Sequence, residues 1–78
     1  MITLKWNVMP QAQGEYLAVA PINGEAGAFR ASVSSIGGVW LVGITTHGRF
    51  ADRETFRLLA DAKGYAADVY AIVEGVNL

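Results

Sequence analysis

His47, the serines Ser32, Ser34 and Ser35, and the carboxylates Asp61 and Asp68 are the side chains whose types could carry acid–base or nucleophilic chemistry in this chain. A nucleophilic triad needs a histidine beside both a hydroxyl and a carboxylate. His47 is the only histidine, and no serine sits in a Gly-x-Ser-x-Gly elbow, so the spacing argues against a triad. Asp61 and Asp68 fall two helical turns apart on a solvated helix face, which is the wrong setting for a glycosidase-like pair. One histidine among scattered carboxylates does not make a metal site, and the absence of cysteine excludes disulfides and thiolate ligands. Gly24, Gly27, Gly37 and Gly38 are followed by no Gly-Lys-Ser/Thr and open no helix, so they read as turn glycines rather than a phosphate loop. The expectation is a protein that is not an enzyme, with no catalytic residue, no metal and no cofactor.

The remaining chemistry is cationic. On a helix, Arg53 and Arg57 lie one turn apart with Arg49 just before its start, and with His47 they make a local cationic strip. Guanidinium groups of this kind pair with carboxylates or phosphates in bidentate geometry. Three arginines do not supply the many phosphate contacts of a strong independent nucleic-acid binder. Glu54 and Asp61 lie close enough in sequence to neutralise the strip as an ordinary solvated face. A second surface therefore stands beside it, the sheet face that carries Lys5, Arg30 and Leu41. Arg49, Arg53, Arg57, Lys5, Arg30 and Leu41 are the expected partner contacts.

The elements that must position these residues follow from a change of period near residue 50. Before it, apolar residues alternate in short runs broken by glycine-rich turns; after it they recur three and four apart. Ile2, Leu4, Trp6 and Val8 alternate with polar residues as a first strand, and Met9-Pro10 through Gln13-Gly14 turns the chain. Glu15 to Ala20 reads as a second strand, followed by a turn at Pro21-Ile22-Asn23-Gly24 whose span to Gly27 predicts a loop rather than a tight hairpin. Gly27 to Ser35 is a third strand, Gly37-Gly38 a hairpin turn, and Val39 to Thr46 a fourth, central strand that is apolar on both faces. Gly43 within it allows a bulge or a close approach. His47-Gly48-Arg49 ends that strand.

A helix is expected from Asp52, as N-cap, to Glu74, with Gly75 as C-cap. Its apolar stripe is Phe56, Leu59, Ala62, Ala66, Val69 and Val73. The alternative is a helix that stops at Gly64 and a final strand through Val69, Ile72 and Val73; the stripe keeps phase across Gly64 and favours one helix. The fold class is thus α+β: one domain, residues 1–78, with a four-stranded antiparallel sheet in ββββα order and the helix on one face. Trp6, Phe29, Trp40, Val42, Leu59, Ala66 and Val69 are the expected core. Trp6, Phe29, Trp40, Val42 and Ile44 face the helix, while Lys5, Asn7, Arg30, Ser32, Ser34, Val39, Leu41 and Thr45 face outward.

Composition narrows the function further. A chain of 78 residues buries only about 60% of its unfolded surface, and this one is 53% hydrophobic and only 17% charged, so apolar surface is left outside. Six Lys and Arg against seven Asp and Glu is neither the basic excess of a bulk nucleic-acid binder nor the acidity of a DNA mimic. No segment reaches the length of apolar residues that spans a membrane, and no signal peptide is expected at the N-terminus. Weak self-association through Val39 and Leu41 on the open face is expected from the apolar surplus.

Leu4-Lys5-Trp6 opens the first strand, Glu15-Tyr16-Leu17-Ala18 follows a glycine, and Gly27-Ala28-Phe29-Arg30-Ala31 and Gly38-Val39-Trp40-Leu41-Val42 come next. Phe50 and then Ala62-Lys63-Gly64-Tyr65-Ala66-Ala67 complete the series. This order resembles a loose group of small phage and prophage proteins that open with a Leu-Lys-Trp-like strand, carry a Trp in a middle strand and end in a helix with an Ala-Lys-x-x-Ala-like core. Gly64 in that core and the longer turn from Ile22 to Ala26 depart from the pattern. Some phage proteins of this size and build are anti-CRISPR proteins, which bind a protein subunit of the host's effector and obstruct DNA recognition or nuclease recruitment. The resemblance implies a phage-encoded inhibitor in the bacterial cytoplasm that binds a subunit of a multi-subunit, Cascade-like effector complex; it carries over no functional residues. A small nucleic-acid-binding or regulatory module and an accessory phage structural protein are the alternatives.

Overall fold

Three two-residue turns lay out the sheet: Asn23-Gly24, with φ of 50° and 84°, Gly37-Gly38, with 56° and 83°, and His47-Gly48, with 52° and 78°. Positive φ at both central residues is the type I′ pattern, whose twist matches that of paired antiparallel strands. A computed structural model describes residues 4–8 and 14–75. The turns connect β2 (Glu15–Ile22), β3 (Glu25–Ile36), β4 (Val39–Thr46) and β5 (Arg49–Phe56), and a short β1 (Asn7–Val8) pairs with the outer side of β2. Spatial order repeats sequence order, β1-β2-β3-β4-β5, and every neighbouring pair is antiparallel. One helix, α1 (Leu59–Glu74), follows.

The architecture is therefore α+β with an antiparallel sheet and a C-terminal helix, but the sheet has five strands rather than four. The segment expected to begin the helix at Asp52 is β5. His47 is the reason: histidine is one of the few non-glycine side chains that enter the left-handed region readily, so His47-Gly48 returns the chain into another strand. β5 hides its character because it is an edge strand, and edges are rich in charge. Asp52 does not cap a helix. The residue at the cap position is Leu58, which makes no side-chain capping bond.

The loop expected from Pro21 to Gly27 is likewise a tight turn, with the irregularity absorbed by a register shift between Ala20 and Ile22 and by Gly27 at φ 74°. α1 runs unbroken through Gly64 and ends on Gly75, which at φ 71° donates its N–H to the Ala71 and Ile72 carbonyls. Of the described part of the first expected strand, Leu4 to Val8, the residues Asn7–Val8 are paired; Ile2, Thr3 and the turn at Met9 to Gln13 lie outside the described residues.

Register decides which side chains the helix covers. Phe29, Ala31 and Val33 on β3 stand opposite Thr46, Ile44 and Val42 on β4, and all of these except Thr46 are fully buried. The helix presents Ala62, Ala66 and Tyr70 to them, the two alanines permitting close approach to the sheet. Of the expected core, Phe29, Val42 and Ala66 are buried, and Trp6, Trp40, Leu59 and Val69 pack around them partly exposed. Tyr70 packs at a tilt against Phe29, 4.8 Å between centroids, and donates its hydroxyl to the Pro21 carbonyl at 2.7 Å. Burial, and then the neighbouring Glu74 carboxylate, push the Tyr70 phenol above its ordinary value. Glu74 also accepts the Asn23 N–H at 2.9 Å, tying the helix end to the β2–β3 turn. At the other end of the helix, the Lys63 ammonium lies 4.3 Å from the Tyr16 ring centroid.

Candidate functional site

Because Phe29, Ala31 and Val33 point into the helix layer, the alternate residues of the sheet face away from it. Register arranges them in rows. Leu17, Ser32, Gly43 and Arg53 form one row across β2 to β5. Val19, Arg30, Thr45 and Phe50 form the next, and Glu15, Ser34, Leu41 and Thr55 a third. Lys5 joins this face: it is exposed, between buried Leu4 and Trp6, which packs on the core. Ile36 and Val39 pair at the β3–β4 turn and extend the apolar part. Phe50 is 71% exposed, unusual for a large aromatic side chain.

The row through Gly43 is hollow. A Cβ at Gly43 would stand 3.3 Å from the Ser32 hydroxyl oxygen. An open depression of about 290 Å³ lies over this row, lined by Leu17, Arg30, Ser32, Gly43 and Thr45. It offers one guanidinium and two hydroxyls, with a leucine as apolar wall.

The helical arginine strip is not formed. Arg49 and Arg53 lie on β5 and Arg57 in the bend before α1. Four residues apart on a regular strand, Arg49 and Arg53 would share a face. Ile44 pairs with Asp52 and Thr45 with Phe50, however, so Ala51 is an extra residue that reverses the alternation. Arg49 stands opposite Thr46 on the helix side, and Arg53 opposite Gly43 on the open side. Arg53 thereby leaves its two expected companions and joins Lys5, Arg30 and Leu41. Leu17, Ser32, Thr45 and Phe50 complete the face; of these, Ser32 and Thr45 were legible from the period of two. Phe50 required the unseen fifth strand, and the only sequence signal for the hollow is Gly43 in an otherwise apolar strand.

The two β5 carboxylates lie away from the open face. Asp52 and Glu54 turn to the helix side, where their carboxylates accept the outward N–H groups of Arg53 at 2.8 Å and Thr55 at 3.3 Å. Glu15, at the start of β2, is the carboxylate in the open-face rows. Among the described residues, no Lys or Arg has a carboxylate within pairing distance, Lys5, Arg30 and Arg53 included; the one such contact is the hydrogen bond of His47 Nδ1 with Glu25 Oε2 at 3.3 Å, both more than half exposed. No group of three or more His, Cys, Asp or Glu able to hold a metal occurs among the described residues. No helix among them is long and apolar enough to cross a membrane.

Comparison with protein-family models, with curated proteins and with solved structures returns no match, so the likeness to small phage proteins rests on the sequence motifs alone.

Proposed function

We propose that this chain is a non-catalytic binding protein that seats its open sheet face on an acidic surface of a protein partner. The observation that carries this reading is the set of cations on that face, Lys5, Arg30 and Arg53, which no carboxylate of the described residues neutralises. Interspersed Leu17, Leu41, Val39 and Phe50 supply the apolar contact that holds a protein interface together once charge has oriented it. A second copy fits less well, because stacking the face on itself sets guanidinium against guanidinium. Nucleic acid also fits less well, since the net charge is −1 and the described rows present one aromatic side chain for stacking. On the resemblance to phage proteins, the partner is a protein subunit of a multi-subunit CRISPR effector and the protein is an anti-CRISPR inhibitor that blocks DNA targeting.

The test is capture from a CRISPR-bearing bacterial host with wild type and with Arg30→Glu/Arg53→Glu, coupled to phage plaquing. An effector subunit retained by wild type and lost by the variant, at unchanged melting temperature, supports the reading. Full phage protection by the variant refutes it, as does tight binding of free DNA at physiological salt.

A further inference from the structure

We infer that the depression over Gly43 is an anchor site for a carboxylate side chain of an acidic protein partner, an inference that rests on the docking reading above. Glycine in the interior of a central strand weakens it and packs nothing. Gly43 is not among the positive-φ glycines, so no turn or left-handed conformation requires it. What its bare backbone permits is the close approach of the Ser32 hydroxyl and an open floor to the depression, on the row where Ser32 and Arg53 flank it from both neighbouring strands.

The lining chemistry selects the occupant. Arg30, Ser32 and Thr45 all offer donors, and no carboxylate lines the hollow. The ligand group must therefore be an electron-rich oxygen, and a negative one if the guanidinium is to be neutralised. Leu17 gives the methylenes of a glutamate side chain an apolar wall. About 290 Å³, open to solvent, admits a glutamate side chain with room to spare. Arg53, across from Gly43 and without an ion pair among the described residues, adds a second guanidinium beside the hollow.

The full-length chain, labelled with ¹⁵N, is titrated with a capped tetraglutamate peptide and separately with a short oligothymidylate. Saturable shifts of the Ser32, Gly43 and Thr45 amides with the peptide are expected. Arg30→Gln, at an exposed position, should weaken them about tenfold or more, and Gly43→Val, which fills the hollow, should abolish them. Absent shifts, or equal affinity in Arg30→Gln, overturn the inference whether or not Gly43→Val folds. Stronger binding of oligothymidylate at the same amides overturns it as well and makes the hollow part of a nucleic-acid surface. If the peptide titration succeeds while Arg30→Glu/Arg53→Glu still captures the partner, the anchor stands and the docking function fails. If that variant loses the partner while the peptide moves no amide, the docking function stands and the anchor fails.

Discussion

Tyr65 on α1 donates its hydroxyl to the Asp52 carboxylate on β5, joining the helix to the edge strand. The same carboxylate accepts the Arg53 N–H through its other oxygen, so one side chain both holds the helix and occupies an outward donor of the sheet edge. Tyr65 is kept in place by Phe56, whose ring centroid lies 5.3 Å away. Tyr65→Phe should lower stability by about 1 to 2 kcal/mol, toward the lower end for a hydrogen bond to a carboxylate because the site is only partly buried. The check is a shift of the urea midpoint at constant slope. Asp52→Ala removes both bonds and bares the edge, so it should cost more and raise the protein's tendency to aggregate in light scattering.

Gly64 lies exposed in the middle of α1, with nothing within 4 Å of a Cβ built there. Gly64→Ala should therefore stabilise the protein by about 1 kcal/mol, the propensity difference at an open helical site. For a domain of this size, that is a rise of roughly 4 to 8 °C in the thermal midpoint. An unchanged or lower midpoint would show that Gly64 has a packing or binding role.

Leu58 precedes the helix, caps nothing with its side chain and is 62% exposed. Leu58→Asp supplies an acceptor for the free N–H groups of the first turn and should add about 0.5 to 2 kcal/mol. Chemical denaturation of the two proteins side by side measures it. A loss of stability would mean that the exposed leucine packs on the first turn more than its accessibility indicates.

Tyr70 gives the protein an alkaline limit. Its folded-state pKa is raised above 10.0, so folding opposes ionisation, and the stability linked to it is complete below pH 10 and lost as pH rises through the folded value. Tyr70→Phe should cost about 1 kcal/mol at neutral pH, through the hydrogen bond to Pro21, and flatten the decline above pH 10. Denaturant midpoints from pH 7 to pH 11 test both parts; parallel declines in the two proteins would exclude Tyr70 as the titrating group.

The period of two made β3 and β4 legible, and with them the division of Phe29, Val42 and Ile44 from Arg30, Ser32 and Leu41. Gly37-Gly38 and Asn23-Gly24 were visible as turns because glycine and asparagine announce positive φ. His47-Gly48 was not, because histidine usually suggests chemistry rather than a backbone conformation. That one turn concealed β5. Asp52 and Glu54 imitate the acidic first turn of a helix, and Phe56 falls in phase with Leu59, so an edge strand reads as the beginning of α1. The helix kept its predicted phase at Ala62 and Ala66, but its third buried position is Tyr70, which the apolar stripe omitted because of its hydroxyl, and Val69 is only partly covered. The cationic face could be read only in part, because Arg53 reaches it through the bulge at Ala51, and a one-residue bulge leaves no reliable mark in a single sequence.

The coincidence of spatial and sequence order has a kinetic consequence. Three of the strand pairings close loops of only two residues, so each hairpin forms at small entropic cost and without waiting for distant chain. Refolding should be fast for a sheet protein, in the millisecond range, and free of a slow topological search. The helix has no surface to dock on until β3, β4 and β5 are paired, so it should attach late. Ala66→Gly would then speed unfolding while leaving the refolding rate almost unchanged.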